Sequence, residues 1–283
     1  MEFGKTDNFA NVDFSFPDEP ESNLRDWGAS EFKVYVGAPV FTHQELIRKI
    51  LPKGAIVDNL MIYSKFFSCI ELNSSFYSIP STEQVKLWSS KVGEKFKFVP
   101  KFIKTVSQHG TGFSKLNSHI SDYLSSIVHF KNNFGASFIQ FPESFSPDYL
   151  LELENFLLRM PKGFKLATEL RSKEFIKVPL AYPKVILDVA GRRDLFDLTL
   201  SRNWTMVRFV GNSLHETDFK RLDDWCEQIL KWKTRKMKEV YFILHQPDES
   251  QCYELALYLK EKLGDIIVGC NELAQDQLDF GIK

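Results

Sequence analysis

The sequence predicts an α/β protein: a single-domain (β/α)8 TIM barrel with an N-terminal extension. Three observations carry that expectation. Eight short apolar segments alternate with longer amphipathic ones, the pattern of strands joined by crossover helices. The chain has 283 residues, a length that one such barrel fills. The first strand ends in VGAPVF, with one glycine, so the Gly-rich turn that opens a doubly wound nucleotide-binding sheet is missing.

Residues 1–30 are acidic, with Asp18, Glu19 and Glu21 around Pro17 and Pro20. They read as an extension outside the main fold, either disordered or laid over its surface through Phe14, Phe16 and Trp27. Residues 31–283 make the barrel domain. Strands are expected over 32–37 (FKVYVG), 69–74 (CIELNS), 96–102 (FKFVPKF) and 137–141 (SFIQF). Four more follow over 165–170 (KLATEL), 185–190 (VILDVA), 206–210 (MVRFV) and 240–245 (VYFILH). Helical spacing of apolar residues places helices over 58–67, 82–91, 117–133, 147–160, 217–236 and 251–263. Pro147 and Pro161 bracket one of them, where prolines tolerate a helix start and enforce a stop. Phe219, Leu222, Trp225, Cys226, Ile229 and Trp232 form a stripe that a helix would pack on a sheet.

Composition narrows the function classes. Lys and Arg number 36 against 37 Asp and Glu, a net charge of -1, which disfavours a nucleic-acid coat or a polybasic membrane anchor. No apolar run approaches the length of a membrane span, and the N-terminus has neither the basic start nor the apolar stretch of a signal peptide. Cys69, Cys226, Cys252 and Cys270 form no C-x-x-C pair and read as ordinary thiols, so the expected location is cytoplasmic.

In a barrel of this kind alternate strand residues point inward, and the site lies at the carboxyl ends of the strands. Alternation then nominates Glu71 and Asn73 from the second strand, Lys101 from the third and Gln140 from the fourth. Glu169 and Arg171 come from the fifth, Asp188 from the sixth, Arg208 from the seventh and His245 from the eighth. Ionisable groups inside apolar strands cost several kcal/mol unless paired. Two readings follow: mutual pairing that closes the barrel top, or a polar pocket. The number of strands contributing at one level favours the pocket.

The residue types sort the chemistry. Glu71, Glu169 and Asp188 are the candidate acid–base carboxylates; a retaining or inverting glycosidase would need such a pair, but Gln140 and Arg208 stand where barrel glycosidases commonly carry theirs. Lys101, Arg171 and Arg208 suit an anion better than a divalent metal, which they would repel. Asn73, Tyr77, Gln140 and His245 complete the candidate substrate-binding set, and Phe76 could form an aromatic wall. His43 and His109, in loops after the first and third strands, read as ordinary surface. No G-x-S-x-G elbow or H-E-x-x-H zinc motif occurs.

The ordered segments IELNSSFYSIP, GASFIQFPESF, ELRSKEF and VRFVG, with FKFVPKF and VYFILHQP, resemble the successive motifs of the YecE-like family, domain of unknown function 72. The resemblance spans roughly residues 33–265 and implies a TIM barrel, but no reaction. Glu71, Asn73, Phe76 and Tyr77 match its Glu-x-Asn-x-x-Phe-Tyr signature; Gln140 and Pro142, Glu169 and Arg171, and Arg208 and Gly211 match later ones. Departures are GAPVFTHQE after the first strand, Ser172 and Val210 where the family commonly has histidine, and His245–Gln246 where it often has paired asparagines. The expected protein is an enzyme, a hydrolase or isomerase, using acid–base chemistry on a small anionic or sugar-like substrate without an organic cofactor. A non-catalytic ligand-binding or scaffold protein is the alternative; a divalent-metal isomerase or a nucleic-acid-processing enzyme is the weaker one.

Overall fold

The computed structural model of the chain describes residues 4, 6, 8–41, 58–108, 112, 115–176 and 178–269. His43, His109 and Cys270 lie outside them. Eight strands run through the described residues: β1 (Lys33–Ala38), β2 (Cys69–Leu72), β3 (Lys97–Pro100), β4 (Ser137–Gln140), β5 (Leu166–Glu169), β6 (Val185–Val189), β7 (Trp204–Val210) and β8 (Glu239–His245). The longer helices among these residues are α1 (Asn59–Phe66), α3 (Thr82–Ser90), α5 (Asn117–Ile127), α6 (Leu150–Leu158), α7 (Glu216–Thr234) and α8 (Cys252–Leu263). Single helical turns, α2 (Ser74–Tyr77) and α4 (Lys104–Ser107), follow β2 and β3.

The architecture is α/β with a mostly parallel central sheet. All strand pairings are parallel, and the continuous ladder runs β3-β2-β1-β8-β7-β6, with β4 and β5 paired separately. The expectation of a barrel is met in part: the strands are parallel and alternate with helices, but the regular ladder is not closed. Only isolated bridges, Lys101 to Phe138 and Thr168 to Lys184 among them, link the two sheets. Proline explains the first break. The N–H groups of Lys97 and Lys101 donate to β2, at Ser68 and Leu72, whereas that of Phe102 donates to Phe138. Position 100 therefore faces β4, and Pro100 has no N–H to give. At the second break Pro183 accepts from the Thr168 N–H and can return nothing.

The helical connections are also less regular than the spacing predicts. The segment 117–133 is α5 followed by a 3-10 stretch, Val128–Asn133, broken at Lys131 with φ 48°. After β5 and β6 the turns Lys173–Phe175 and Ala190–Leu195 are 3-10, not α-helix.

Two apolar layers fix which way each strand residue points. Tyr35, Cys69, Val99, Phe138, Ala167, Leu187, Met206 and Ile243 pack together on the inner face. Val34, Ile70, Phe98, Ile139, Ile186, Val207 and Phe242 pack outward against the helices. The stripe on α7 lies in that outer layer: Leu222, Trp225, Cys226, Ile229 and Trp232 are buried, and Phe219 is partly so. Cys69, Cys226 and Cys252 are buried thiols. Among the described residues no helix is long and apolar enough to cross a membrane.

The N-terminal segment is laid on this outer layer. Phe16 meets Phe196 and Trp225 edge-on, each at 5.0 Å. Arg193 donates to the carbonyls of Asp13, Phe14 and Ser15. The buried Asn23 side chain bonds both ways, to the Leu198 carbonyl (2.7 Å) and from the Leu200 N–H (2.9 Å). Replacing it leaves two buried backbone groups unpaired. Asn23→Ala is therefore expected to lower the free energy of unfolding by about 2 kcal/mol, read by urea titration. An unchanged midpoint would show that docking of the segment is uncoupled from the stability of the sheet.

Candidate functional site

The inner-face parity carries one polar layer at the carboxyl ends of the strands. Glu71 lies in β2 two residues beyond Cys69, Gln140 two beyond Phe138, Glu169 two beyond Ala167, Arg208 two beyond Met206, and His245 two beyond Ile243. Lys101 follows β3 directly, and Arg171 follows β5 by two residues. Glu71, Glu169, Lys101, Arg208 and His245 are buried; Asn73, Gln140 and Arg171 are half-buried.

Arg208 is the hub. Its Nε and Nη2 grip Glu71 as a fork, at 2.9 Å to Oε2 and 3.0 Å to Oε1. Its Nη1 donates to Glu169 Oε2 at 2.6 Å, and Nη2 lies 3.1 Å from His245 Nε2. Such planar, charge-assisted pairing is what guanidinium geometry favours. The remaining acceptor sites on the carboxylates are also used. Asn73 Nδ2 donates to Glu71 Oε1 (3.0 Å), and Arg171 Nε donates to Glu169 Oε1 (2.7 Å).

Electrostatics follow from this wiring. Burial by itself would raise the Glu71 carboxyl, but the Arg208 charge, with His245 beside it, overrides burial and holds Glu71 far below the usual range. Glu169 is likewise lowered: burial is outweighed by Arg208, Arg171 and Lys101. His245 is pushed down by burial and Arg208 against the pull of Glu71; its Nε2 lies 3.1 Å from Arg208 Nη2 and 3.2 Å from Glu71 Oε2, while its buried Nδ1 has no hydrogen-bond partner.

A second, more open layer sits beside the first. Lys101 Nζ and Arg171 Nη2 both donate to one atom, Gln140 Oε1, at 2.8 and 3.0 Å. The ring of Phe76 lies 4.3 Å from Lys101 Nζ. Burial lowers the Lys101 amine to about 8, with Glu169 pulling it up and Arg208 pushing it down. Three cations thus face two carboxylates, and the cluster carries one positive charge in excess when Lys101 is protonated.

Two nominated residues are elsewhere. Asp188 is corrected: it faces the helices, where Arg221 (3.0 Å), Trp225 Nε1 (2.7 Å) and Arg193 bond its carboxylate. The inward residues of β6 are Leu187 and Val189. Both faces of VILDV are apolar, so alternation alone had no contrast by which to orient it. Tyr77 is 78% exposed on α2 and touches Phe76 edge-on, not the polar cluster.

Glu249, four residues beyond His245, was not nominated from the sequence. It titrates at about 7, raised by burial and then by the Glu71 charge, and its Oε2 is buried without a hydrogen-bond partner. Its position just after the eighth strand was the only available signal. Gly211 closes this corner: a Cβ there would meet the Gln246 side chain at 2.2 Å, so the glycine of VRFVG permits that close approach.

Among the described residues no group of three or more His, Cys, Asp or Glu could hold a metal ion. The place between Glu71 and Glu169 belongs to the Arg208 guanidinium.

Removing that guanidinium strands two buried carboxylates. Arg208→Met is expected to cost about 3–5 kcal/mol at neutral pH, measured by chemical denaturation. The pH dependence has a definite sign. In the native protein Glu71 and Glu169 are lowered, so their stabilisation is present above the unfolded value near ~4.3 and lost as pH falls. In the variant Glu71 loses the largest charge opposing its burial and Glu169 keeps only Arg171 and Lys101, so both groups rise, Glu71 most, and the deficit should shrink on acidification. A deficit constant with pH would contradict the proposed hub.

The motif set and the fold agree with what comparison finds. The profile described as "Protein of unknown function DUF72" matches residues 35–277. UPF0759 protein YecE of Escherichia coli (strain K12) is 22% identical over 260 residues, covering 81% of this chain and 92% of YecE. Crystal structures of DUF72 family proteins show the same fold. One from Enterococcus faecalis V583 superposes with TM-score 0.65 at 21% identity, over 81% of this chain and 95% of the other. One from Thermotoga maritima MSB8 does so with TM-score 0.61 at 20% identity, over 82% and 99%. The chain belongs to the DUF72 family.

Proposed function

We propose that this protein is a (β/α)8-barrel enzyme, organised as residues 31–283 with residues 1–30 as an extension. In this reading it binds a small anionic, sugar-like substrate at the carboxyl ends of the strands and acts on it by proton transfer. One observation carries the reading. Two cationic donors, Lys101 and Arg171, converge on a single neutral amide oxygen of Gln140. Arg171 also holds Glu169 through its Nε, but at this point both cations meet an uncharged acceptor, and a phosphate or carboxylate oxygen in that place would gain both charge-assisted bonds. Asn73 and Gln140 are then placed to read neighbouring hydroxyls.

Within this reading Glu71 and Glu169 serve as fixed charges that orient Arg208 and Arg171. Both carboxyls are held ionised, so they cannot donate protons at neutral pH. Lys101, at about 8, and Glu249, at about 7, titrate where proton transfer at neutral pH requires. The buried thiols fit a cytoplasmic setting. The saturated Glu71–Arg208–Glu169 hub also suits a ligand-binding protein without turnover, and that is the competing reading.

The test is a thermal-shift screen with inorganic phosphate, phosphorylated sugars and small carboxylates. A ligand at about 100 times its Kd should stabilise the native chain by about 2.7 kcal/mol. Lys101→Met and Arg171→Gln should each weaken that ligand about ten- to a hundredfold, the loss of one charged hydrogen bond. Undiminished stabilisation in both variants, or none in the native chain, would sink the pocket. Binding without turnover of the hit, followed by NMR, would favour the ligand-binding protein.

A further inference from the structure

The amine of Lys101 is placed for more than holding a charge. We propose that Lys101 captures a carbonyl: its Nζ forms an imine with a small 2-oxo acid whose carboxylate is held by the Arg171 guanidinium. The inference rests on the anion-binding reading above and names the substrate class.

Position and spacing carry it. Lys101 stands at the carboxyl end of β3 with little exposure, so its amine is shielded from bulk water yet belongs to the polar layer at the strand ends. Nζ and Arg171 Nη2 both reach Gln140 Oε1, so they are at most about 6 Å apart, each bond being of ordinary length. A 2-oxo acid carries its carbonyl on the carbon next to its carboxylate. With the carboxylate on the Arg171 fork, the carbonyl carbon falls on the Lys101 side. A substrate with carbonyl and anionic group several bonds apart would overshoot that span. The ring of Phe76, at 4.3 Å, and that of Phe138, at 5.7 Å, wall the amine and limit the water that would hydrolyse an imine.

The charged groups facing Lys101 come from three strands and the segment after β5: Glu169 and Glu71, which favour the ammonium, and Arg208 and Arg171, which oppose it. The aromatic faces also favour the ammonium. Burial, the largest influence, outweighs them and brings the amine to about 8. About one such lysine in ten is then a free amine at neutral pH, against about one in several thousand for an ordinary lysine. A desolvated amine beside other cations is a recognised way to activate a lysine for this reaction.

The step balances as follows. The Nζ lone pair attacks the carbonyl carbon, forming a C–N bond, and the carbonyl π pair moves to oxygen, which takes a proton. The resulting carbinolamine loses its hydroxyl as water on receiving a second proton, and nitrogen gives up both of its protons, one as the carbinolamine forms and one as the C=N bond forms. Amine and ketone become imine and water, with no oxidant or reductant.

The test is reductive trapping on the full chain. Pyruvate and sodium cyanoborohydride, which delivers hydride to the C=N bond, should leave one reduced adduct, mapped by peptide mass spectrometry to Lys101. Labelling should exceed that of Lys97, at the other end of the same strand, by at least about tenfold, reflecting carboxylate capture as well as the free amine. Lys101→Met, checked for folding by circular dichroism, should lose the adduct. Arg171→Gln keeps the amine and should lower the ratio of pyruvate labelling to propanal labelling about tenfold, since propanal has no carboxylate and both reagents feel any change in the amine alike. Adducts spread over surface lysines, or an unchanged adduct in Lys101→Met, would overturn the inference. No adduct alongside a thermal shift by pyruvate or phosphate would overturn the imine and leave the anion site standing. No adduct and no shift would remove both.

Discussion

The Arg208 guanidinium holds two carboxylates that burial would otherwise expel. Glu71 and Glu169 come from strands of different ladders, β2 from the six-stranded sheet and β5 from the separate pair. One planar cation bonds both, and that bond crosses where regular backbone pairing is interrupted. An isolated buried carboxylate costs far more than the sheet could repay, so these strand ends must keep their register around Arg208. The hub thus does by side-chain charge what a continuous ladder would do by hydrogen bonds.

The rest of the polar layer is arranged by that constraint. Once Arg208 satisfies Glu71 and one oxygen of Glu169, the other oxygen of Glu169 is left to orient Arg171. Arg171 and Lys101 then meet at Gln140, and the excess positive charge lies in the more open part of the cluster. Fixed charges lie deep, and the groups that titrate near neutrality, Lys101 and Glu249, lie beside them. A second ionic system backs β6 from outside. Asp188, Arg193, Arg221 and Trp225 join the strand to α7, and Arg193 carries the join on to the N-terminal segment.

Much of this placement was legible from alternation. Glu71 and Arg208 each sit between bulky apolar neighbours that could only face the helices, and Glu169 is followed by Leu170, so the charged residue had to face inward. The eight strand segments and the α7 stripe were legible for the same reason. Asp188 was not, because its neighbours Leu187 and Val189 are needed to fill the inner face, and a strand apolar on both sides offers no contrast. Tyr77 matches a motif, but motif membership says nothing about exposure, which the single turn of α2 sets. Glu249 lies in a turn with no periodicity to read; only the approach of that turn to Glu71 marks it.

What the sequence determined by itself was the α/β alternation, the family, and the stock of opposite charges placed on the strands. Those follow from local patterning, which covalent order alone dictates. The partners of each charge were decided only by tertiary structure. Pairing joins residues far apart in the chain, 137 positions in the case of Glu71 and Arg208, and depends on which strand ends converge. The same holds for the open ladder: Pro100 is plain in the sequence, but that its missing N–H falls on the β4 side depends on the parallel register with β2. Charge supplies the need for a partner, and only the assembled sheet supplies the geometry that meets it.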